Sequence, residues 1–338
     1  MRPTGLTPVK PSAPYVTPAE GRGAAPAAEC DVSVLVPAKD EAENLPLFME
    51  LTEAAFRDSG LRFEVVVVDD GSVDATWQVL AELAARYSFL HPVRHRAQRG
   101  IAEALRTGYV HSRGRVLVFY PADLQFMPED IPRLVAPVLS GESDMVTGFK
   151  QGAYDKAFVS GIYNRLSRRL FHVPVRDLNS VKAYRREVME QLPARPDWHR
   201  YMIVIAASEG FTVSEIPVPL YPRHAGRSKF GLGRIPVGVL DMLSVWFELR
   251  FGGKPLLLFG MLGLGLFAIG AVAGLVALGR LVFLGVGTRA VWTIIQTCLI
   301  VGSVFFATGL VGEQIAVQRS EVRELRRRVE EEAAQPND

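Results

Sequence analysis

Two stretches of this chain carry no charge at all, Pro255 to Gly279 and Ala290 to Gly312. At about 1.5 Å of rise per helical residue, each is long enough to cross a hydrocarbon core of about 30 Å. A buried helix of a soluble core rarely runs so far without a charge, so the pair reads as two membrane-spanning helices. Between them only Arg280 and Arg289 are charged. Arg250 and Lys254 precede the first run, and Arg319, Arg323, Arg326, Arg327 and Arg328 follow the second. Basic residues gather on the cytoplasmic side of short membrane loops, which puts both flanks in the cytoplasm and the short connection outside. The expected membrane part is a hairpin within 253–312.

Other regions follow from this anchor. Ile235, Val239, Met242, Leu243, Trp246 and Leu249 recur at helical spacing ahead of the hairpin, and residues 229–252 read as an amphipathic segment lying on the bilayer surface. Residues 313–338 form a charged tail, a candidate for helical association between copies. Residues 1–30 are rich in Pro, Ala and Gly without the apolar centre of a secretory signal, and read as a disordered leader. A net charge of +2 argues against a nucleic-acid partner. Cys30 and Cys298 are the only cysteines, too few and too far apart for a disulfide framework or a thiolate metal site.

Residues 31–228 alternate strand and helix. Val32 to Val36 is a β-branched run, followed by a helix-period segment with Leu45, Phe48, Leu51 and Ala55 on one face. Phe63 to Val68 is continuously Val-rich, as expected of a strand buried on both sides, and it ends at Asp69-Asp70-Gly71-Ser72. Asp74 is placed to cap the next helix, which carries Val79, Leu80 and Leu83. A helix over Ile101–Val110 and a strand over Arg115–Tyr120 follow, then further strands near Asp144–Thr147 and Phe211–Ile216. Polar, turn-forming residues cluster after the strands. The pattern is an open α/β sheet that binds its ligand at the carboxyl ends of its strands.

Three acidic clusters fall at strand ends: Asp40-Glu41, Asp69-Asp70, and Asp123 with Gln125. Carboxylates gathered at one sheet edge repel one another unless a cation or a polar ligand sits among them. The run Val36-Pro37-Ala38-Lys39-Asp40-Glu41, then Asp69-Asp70-Gly71-Ser72 with Asp74 and Thr76, then Ala122-Asp123-Leu124-Gln125, resembles glycosyltransferase family 2. The likeness is nearest to its dolichol-phosphate mannose synthase and bacterial polyprenyl-phosphate branch. It continues through Arg223-His224-Ala225-Gly226-Arg227-Ser228-Lys229 to the hairpin and Gly312-Glu313.

The resemblance implies a GT-A type (Rossmann-like) mixed sheet with flanking helices. It also implies transfer of a sugar from a GDP- or UDP-linked donor to a polyprenyl phosphate, undecaprenyl or dolichyl, at the cytoplasmic membrane face. Pro37, Ala38, Glu41, Asp69, Asp70 and Ala122 match nucleotide-binding positions. Asp123 and Gln125 match the ligands of a divalent metal, and such oxygen donors suit Mg²⁺ or Mn²⁺. The chain departs from the family pattern in two places: Lys39-Asp40 stands for Tyr-Asn, and Pro121 replaces the acidic residue that opens the metal motif. Lys150, Lys156, Ser160, Arg223 and Lys229 are the acceptor-phosphate candidates, with Arg227 nearby.

A phosphate monoester has a second pKa of about 6 and is already anionic at neutral pH, so no general base is expected to be essential. Asp177 and Glu209 are accordingly read as structural. Two rival readings are a processive polysaccharide synthase and an inactive membrane-anchored nucleotide-sugar-binding protein. The first lacks its Gln-x-x-Arg-Trp signature here, and the second is suggested by Pro121.

Overall fold

The first strand forms where the β-branched run lies: β1 spans Val32–Ala38 and is buried along nearly all of its length. The computed structural model describes residues 30–151, 165, 169–171, 173, 175–192, 198–224, 235–285 and 289–334. The chain divides into two compact units, Met1–Leu232 and Gly233–Asp338. The leader expected over residues 1–30 lies almost wholly outside the described residues.

The first unit is built on a seven-stranded sheet in which β1 is joined by β2 (Phe63–Asp69), β3 (Leu90–Arg94), β4 (Val116–Phe119), β5 (Met145–Gln151), β6 (Lys182–Arg185) and β7 (Val213–Pro219). The strand order is β3-β2-β1-β4-β6-β5-β7. Every pairing is parallel except those of β6, which runs antiparallel to both β4 and β5. Lys182, at the start of β6, pairs with Phe119 at the end of β4 and with Thr147 in β5. The chain entering β6 therefore reaches the same edge as the chain leaving β4 and β5.

Helices cover both faces of the sheet. Val34, Val36, Val65 and Val67 share one apolar cluster with Leu45 and Phe48 of α1 (Leu45–Phe56), Leu80 of α2 (Thr76–Arg86) and Leu134 of α4 (Ile131–Leu139). Residues of opposite parity, Leu35 and Val68, meet α3 (Ile101–Val110), where a Cβ on Gly108 would lie 3.4 Å from Leu35. Two-sided burial explains why these strands are continuous Val runs rather than alternating ones. Asp74 sits one residue further from α2 than a capping position, and its Oδ1 accepts from the Thr76 amide at 3.0 Å.

The opposite edge is held by polar staples. The Arg186 guanidinium, at the start of α5 (Arg186–Glu190), donates to the carbonyls of Tyr109, Ser112 and Gly114 and lies over the Tyr109 ring. Glu64 is buried at the start of β2, where it accepts from Ser33 Oγ and the Arg113 amide. Beyond α5, helix α6 (Met202–Ser208) leads into β7.

The second unit consists of α7 (Ile235–Phe251), α8 (Pro255–Leu284) and α9 (Arg289–Ala334). The most apolar windows of α8 and α9 have mean hydropathies of 2.4 and 2.1, and only 17% of each window is buried. A soluble core helix would be mostly covered, so both are long, apolar and exposed enough to be membrane spans. Both helices run past the uncharged stretches. They approach through small residues: a Cβ on Gly263 would lie 2.8 Å from the Gly302 carbonyl, and one on Gly309 3.3 Å from the Gly260 nitrogen. Gly265, two residues further along α8, faces open space. Glu313 Oε2 accepts the Leu256 amide at 3.2 Å, placing an acidic group at the N-terminus of α8. In α7, Met242 and Val245 are buried while Val239, Leu240 and Leu243 are exposed, so apolar residues occupy more than one face.

Candidate active site

The carboxyl ends of β1, β2 and β4 bring the three acidic clusters to one edge. The loops after β1 and β2 are stitched together. Lys39 Nζ donates to the Gly71 carbonyl at 2.9 Å, the Asp40 amide to Ser72 Oγ at 2.9 Å, and the Glu41 amide to Thr76 Oγ1 at 2.9 Å. Asp40 returns the contact by accepting the Val73 amide at 2.9 Å, with its own backbone at φ 52. Gly71 is required where it stands: its φ is +69, and a Cβ there would lie 2.7 Å from the Ala97 backbone.

The two aspartates after β2 have different surroundings. Asp70 Oδ1 accepts from the Arg99 amide at 2.7 Å and lies 2.8 Å from His95 Nδ1, and Oδ2 accepts the Gly100 amide at 2.8 Å. Burial alone would raise the Asp70 pKa, but the hydrogen bonds from His95, Arg99 and Gly100 outweigh it and hold the carboxyl below its usual value. Asp70 thereby shapes the 95–100 loop. Asp69 is fully buried and accepts the Ser72 amide on Oδ1 at 2.8 Å. Its Oδ2 has no hydrogen bond among the described residues, although Arg94 Nε lies 3.1 Å away as an ion pair out of alignment.

After β4 the chain turns sharply. Leu124, buried and branched, adopts φ 56, a left-handed backbone that such residues rarely take. The Gln125 amide donates to Asp123 Oδ1 at 3.3 Å across this turn. Both flanking side chains then meet one cation. Arg223 Nη2 lies 3.1 Å from Asp123 Oδ2, and Arg223 Nε donates to Gln125 Oε1 at 3.2 Å. Burial raises the Asp123 pKa, with Arg223 and the Gln125 amide opposing it.

The guanidinium thus stands where the sequence expects a divalent ion, and it tests the fit: these two oxygens do converge on a positive group. Among the described residues no three His, Cys, Asp or Glu side chains gather into a cage. Two chain oxygens, completed by substrate phosphates and water, suit Mg²⁺ or Mn²⁺ better than a fully protein-ligated ion.

Of the residues expected to hold the acceptor phosphate, Lys150 donates from Nζ to the Asn179 carbonyl at 2.7 Å and pairs with Asp177 Oδ2 at 3.2 Å. Asp177 also accepts the Asn179 amide at 2.9 Å. Lys156, Ser160, Arg227 and Lys229 lie outside the described residues. Arg223, expected near the acceptor phosphate, is found against Asp123 and Gln125. Sequence reasoning missed His95 and Lys182. Lys182 is completely buried, donates to the Ser180 carbonyl at 2.7 Å and lies 5.6 Å from the Phe119 ring centroid. Burial pushes its pKa down to about 7, partly offset by Asp177.

Residues 33–192 match the family described as Glycosyl transferase family 2. The dodecaprenyl-phosphate galacturonate synthase of Rhizobium johnstonii is 30% identical over 308 residues, spanning 86% of this chain and 89% of that protein. This chain belongs to glycosyltransferase family 2. The undecaprenyl-phosphate 4-deoxy-4-formamido-L-arabinose transferase of Pseudomonas fluorescens is 30% identical to this glycosyltransferase over 302 residues, covering 86% of this chain and 87% of the relative. Among solved structures, the glucosyl-3-phosphoglycerate synthase of Mycobacterium tuberculosis, in complex with Mn²⁺, UDP and its product, superposes with a TM-score of 0.53 at 20% identity. That match covers 66% of this glycosyltransferase and 80% of the other chain, and it shows that the two share the GT-A fold.

Proposed function

We propose that this glycosyltransferase moves a sugar from a nucleoside diphosphate to a polyprenyl phosphate at the cytoplasmic face of a membrane that α8 and α9 cross. The observation that carries the reading is the convergence of the Asp123 carboxylate and the Gln125 carbonyl on one cation position at the end of β4. The named substrates of the two relatives support the acceptor class. The Mn²⁺ and UDP of the solved neighbour support a divalent ion and a nucleotide donor. Within the second unit, a groove of about 650 Å³ lined by Phe247, Phe259, Val304, Val311 and Ile315, with Glu248 and Arg319 beside them, has the chemistry to take an isoprenoid chain.

In this reaction an oxygen of the lipid phosphate attacks the anomeric carbon as the bond to the nucleoside diphosphate breaks, inverting configuration in one displacement. Pro37, Ala38, Glu41, Asp69 and Ala122 line the nucleotide side, with Asp70 holding the 95–100 loop against it. Lys150, Lys156, Ser160 and Lys229 are proposed to hold the acceptor phosphate. Asp123 and Gln125 would hold Mg²⁺ or Mn²⁺, which offsets charge on the departing diphosphate. The acceptor is already an anion, so orientation and charge compensation carry the rate.

The decisive experiment incubates the purified chain with a panel of UDP- and GDP-sugars, Mg²⁺ or Mn²⁺ and a short polyprenyl phosphate. Glycosylated lipid phosphate from one donor is expected, and failure with every donor would favour a binding protein. Asp123→Ala is expected to lower transfer by roughly 10²-fold or more, the scale for losing a group that stabilises developing charge, while circular dichroism stays unchanged.

A further inference from the structure

The Arg223 guanidinium engages the same two oxygens that the metal reading assigns to a divalent ion, Asp123 Oδ2 at 3.1 Å and Gln125 Oε1 at 3.2 Å. Its approach is fixed by backbone as well as by charge. Just after β7, the Tyr221 amide donates to the Gln125 carbonyl at 2.9 Å, and the Leu220 amide donates to the Gln151 carbonyl at 3.0 Å. The segment carrying Arg223 is therefore fastened directly to the loop that carries Asp123 and Gln125. The ion pair is sheltered, with side-chain exposures of 28% for Arg223 and 12% for Asp123, so water screens it less than a surface pair.

A divalent ion needs these oxygens at about 2.0–2.2 Å, closer than any guanidinium nitrogen lies. A divalent ion bound there would stand within a few ångströms of the guanidinium, and like charges at that range repel. We propose that Arg223 is the resident counter-ion of this site, displaced when the divalent ion arrives and then free to clamp a phosphate of the bound substrates. The proposal rests on the metal reading of Asp123 and Gln125. Without a metal, the guanidinium neutralises a buried carboxylate that would otherwise stand alone, which is costly. With a metal, that repulsion drives the guanidinium off, and its planar fork matches phosphate oxygens in a way that a lysine cannot. Tethered by its segment, it stays beside the place where the phosphates collect.

The test uses the full chain in detergent and reads Mn²⁺ binding from the electron paramagnetic resonance signal of the free ion, with no nucleotide or lipid present. Arg223→Ala is expected to bind Mn²⁺ about tenfold more tightly than the parent chain, equivalent to about 1.4 kcal/mol. Arg223→Lys should fall between the two, since a point charge cannot bridge both oxygens. Asp123→Asn should weaken Mn²⁺ binding.

At saturating Mn²⁺, the affinities for UDP, for GDP and for a short polyprenyl phosphate are then measured separately. Arg223→Ala should weaken one of them about tenfold, and which one identifies the phosphate that is clamped. If Arg223→Ala leaves Mn²⁺ affinity unchanged or weaker while Asp123→Asn reduces it, the displacement is refuted and the metal reading stands. If neither substitution alters Mn²⁺ binding, the metal reading falls and takes the proposal with it. Tighter Mn²⁺ binding with no loss for any phosphate ligand would refute the clamp.

Discussion

A lysine with no exposed surface is an expensive residue to keep. Lys182 lies near the Phe119 ring and feels the charges of Asp177 and Lys150, and burial lowers its pKa from 10.5 to about 7. Between those values the unfolded chain holds a proton that the folded chain has released, so stability rises with pH across the window. Below about pH 7 both states are charged and the full burial cost applies. Lys182→Met is therefore expected to stabilise the chain most at or below pH 7, with the gain shrinking toward pH 10, as urea midpoints at several pH values would record. His199 acts in the same direction at lower pH. Burial, together with Arg200 and Lys182, lowers its pKa from 6.5 to about 3, so acidification through that range favours the unfolded, protonated chain. Neither residue was legible as buried from sequence, because a lone Lys or His carries no pattern that reveals what covers it. Asp123 and Gln125 drew attention because they follow an apolar run beside two other acidic clusters, while their role toward a metal was implied only by the family resemblance.

At the scale of elements, legibility followed the strength of the apolar pattern. β1, β2, α3 and the two long apolar helices emerged from Val runs, helical spacing and absence of charge. β3 did not, because Leu90-His91-Pro92-Val93-Arg94 is short and carries a proline, which a sheet tolerates at its edge, where this strand lies. β6 did not either, since Lys-Ala-Tyr-Arg is held by neighbours on both sides rather than by its own propensity. Among the glycines of the two long apolar helices, contact separates those that pack from those that do not. A Cβ on Gly263 would meet the Gly302 carbonyl at 2.8 Å and one on Gly302 the Phe267 ring at 2.9 Å, whereas Gly265 has nothing within 4 Å. Gly302→Leu is expected to cost about 1–3 kcal/mol through overpacking and to lower the melting temperature in detergent. Gly265→Leu should leave it nearly unchanged.

At the scale of the whole molecule, the sheet and its covering helices are complete within Met1–Leu232. A fragment ending at Leu232 is expected to unfold cooperatively and to remain in the supernatant after ultracentrifugation, while the full chain sediments with membranes. The sheet also makes the two ends of its strands unequal in a way that bears on change over time. Because β6 alone is reversed, residues 177–181 enter at the edge where the parallel strands end, beside the proposed site, whereas Arg186 and α5 emerge among the far-side staples. Lengthening the chain by two residues after Asn179 should therefore abolish turnover, and the same insertion after Glu190 should be borne with little loss. Drift in length would then be permitted on one side of a four-residue strand and forbidden on the other.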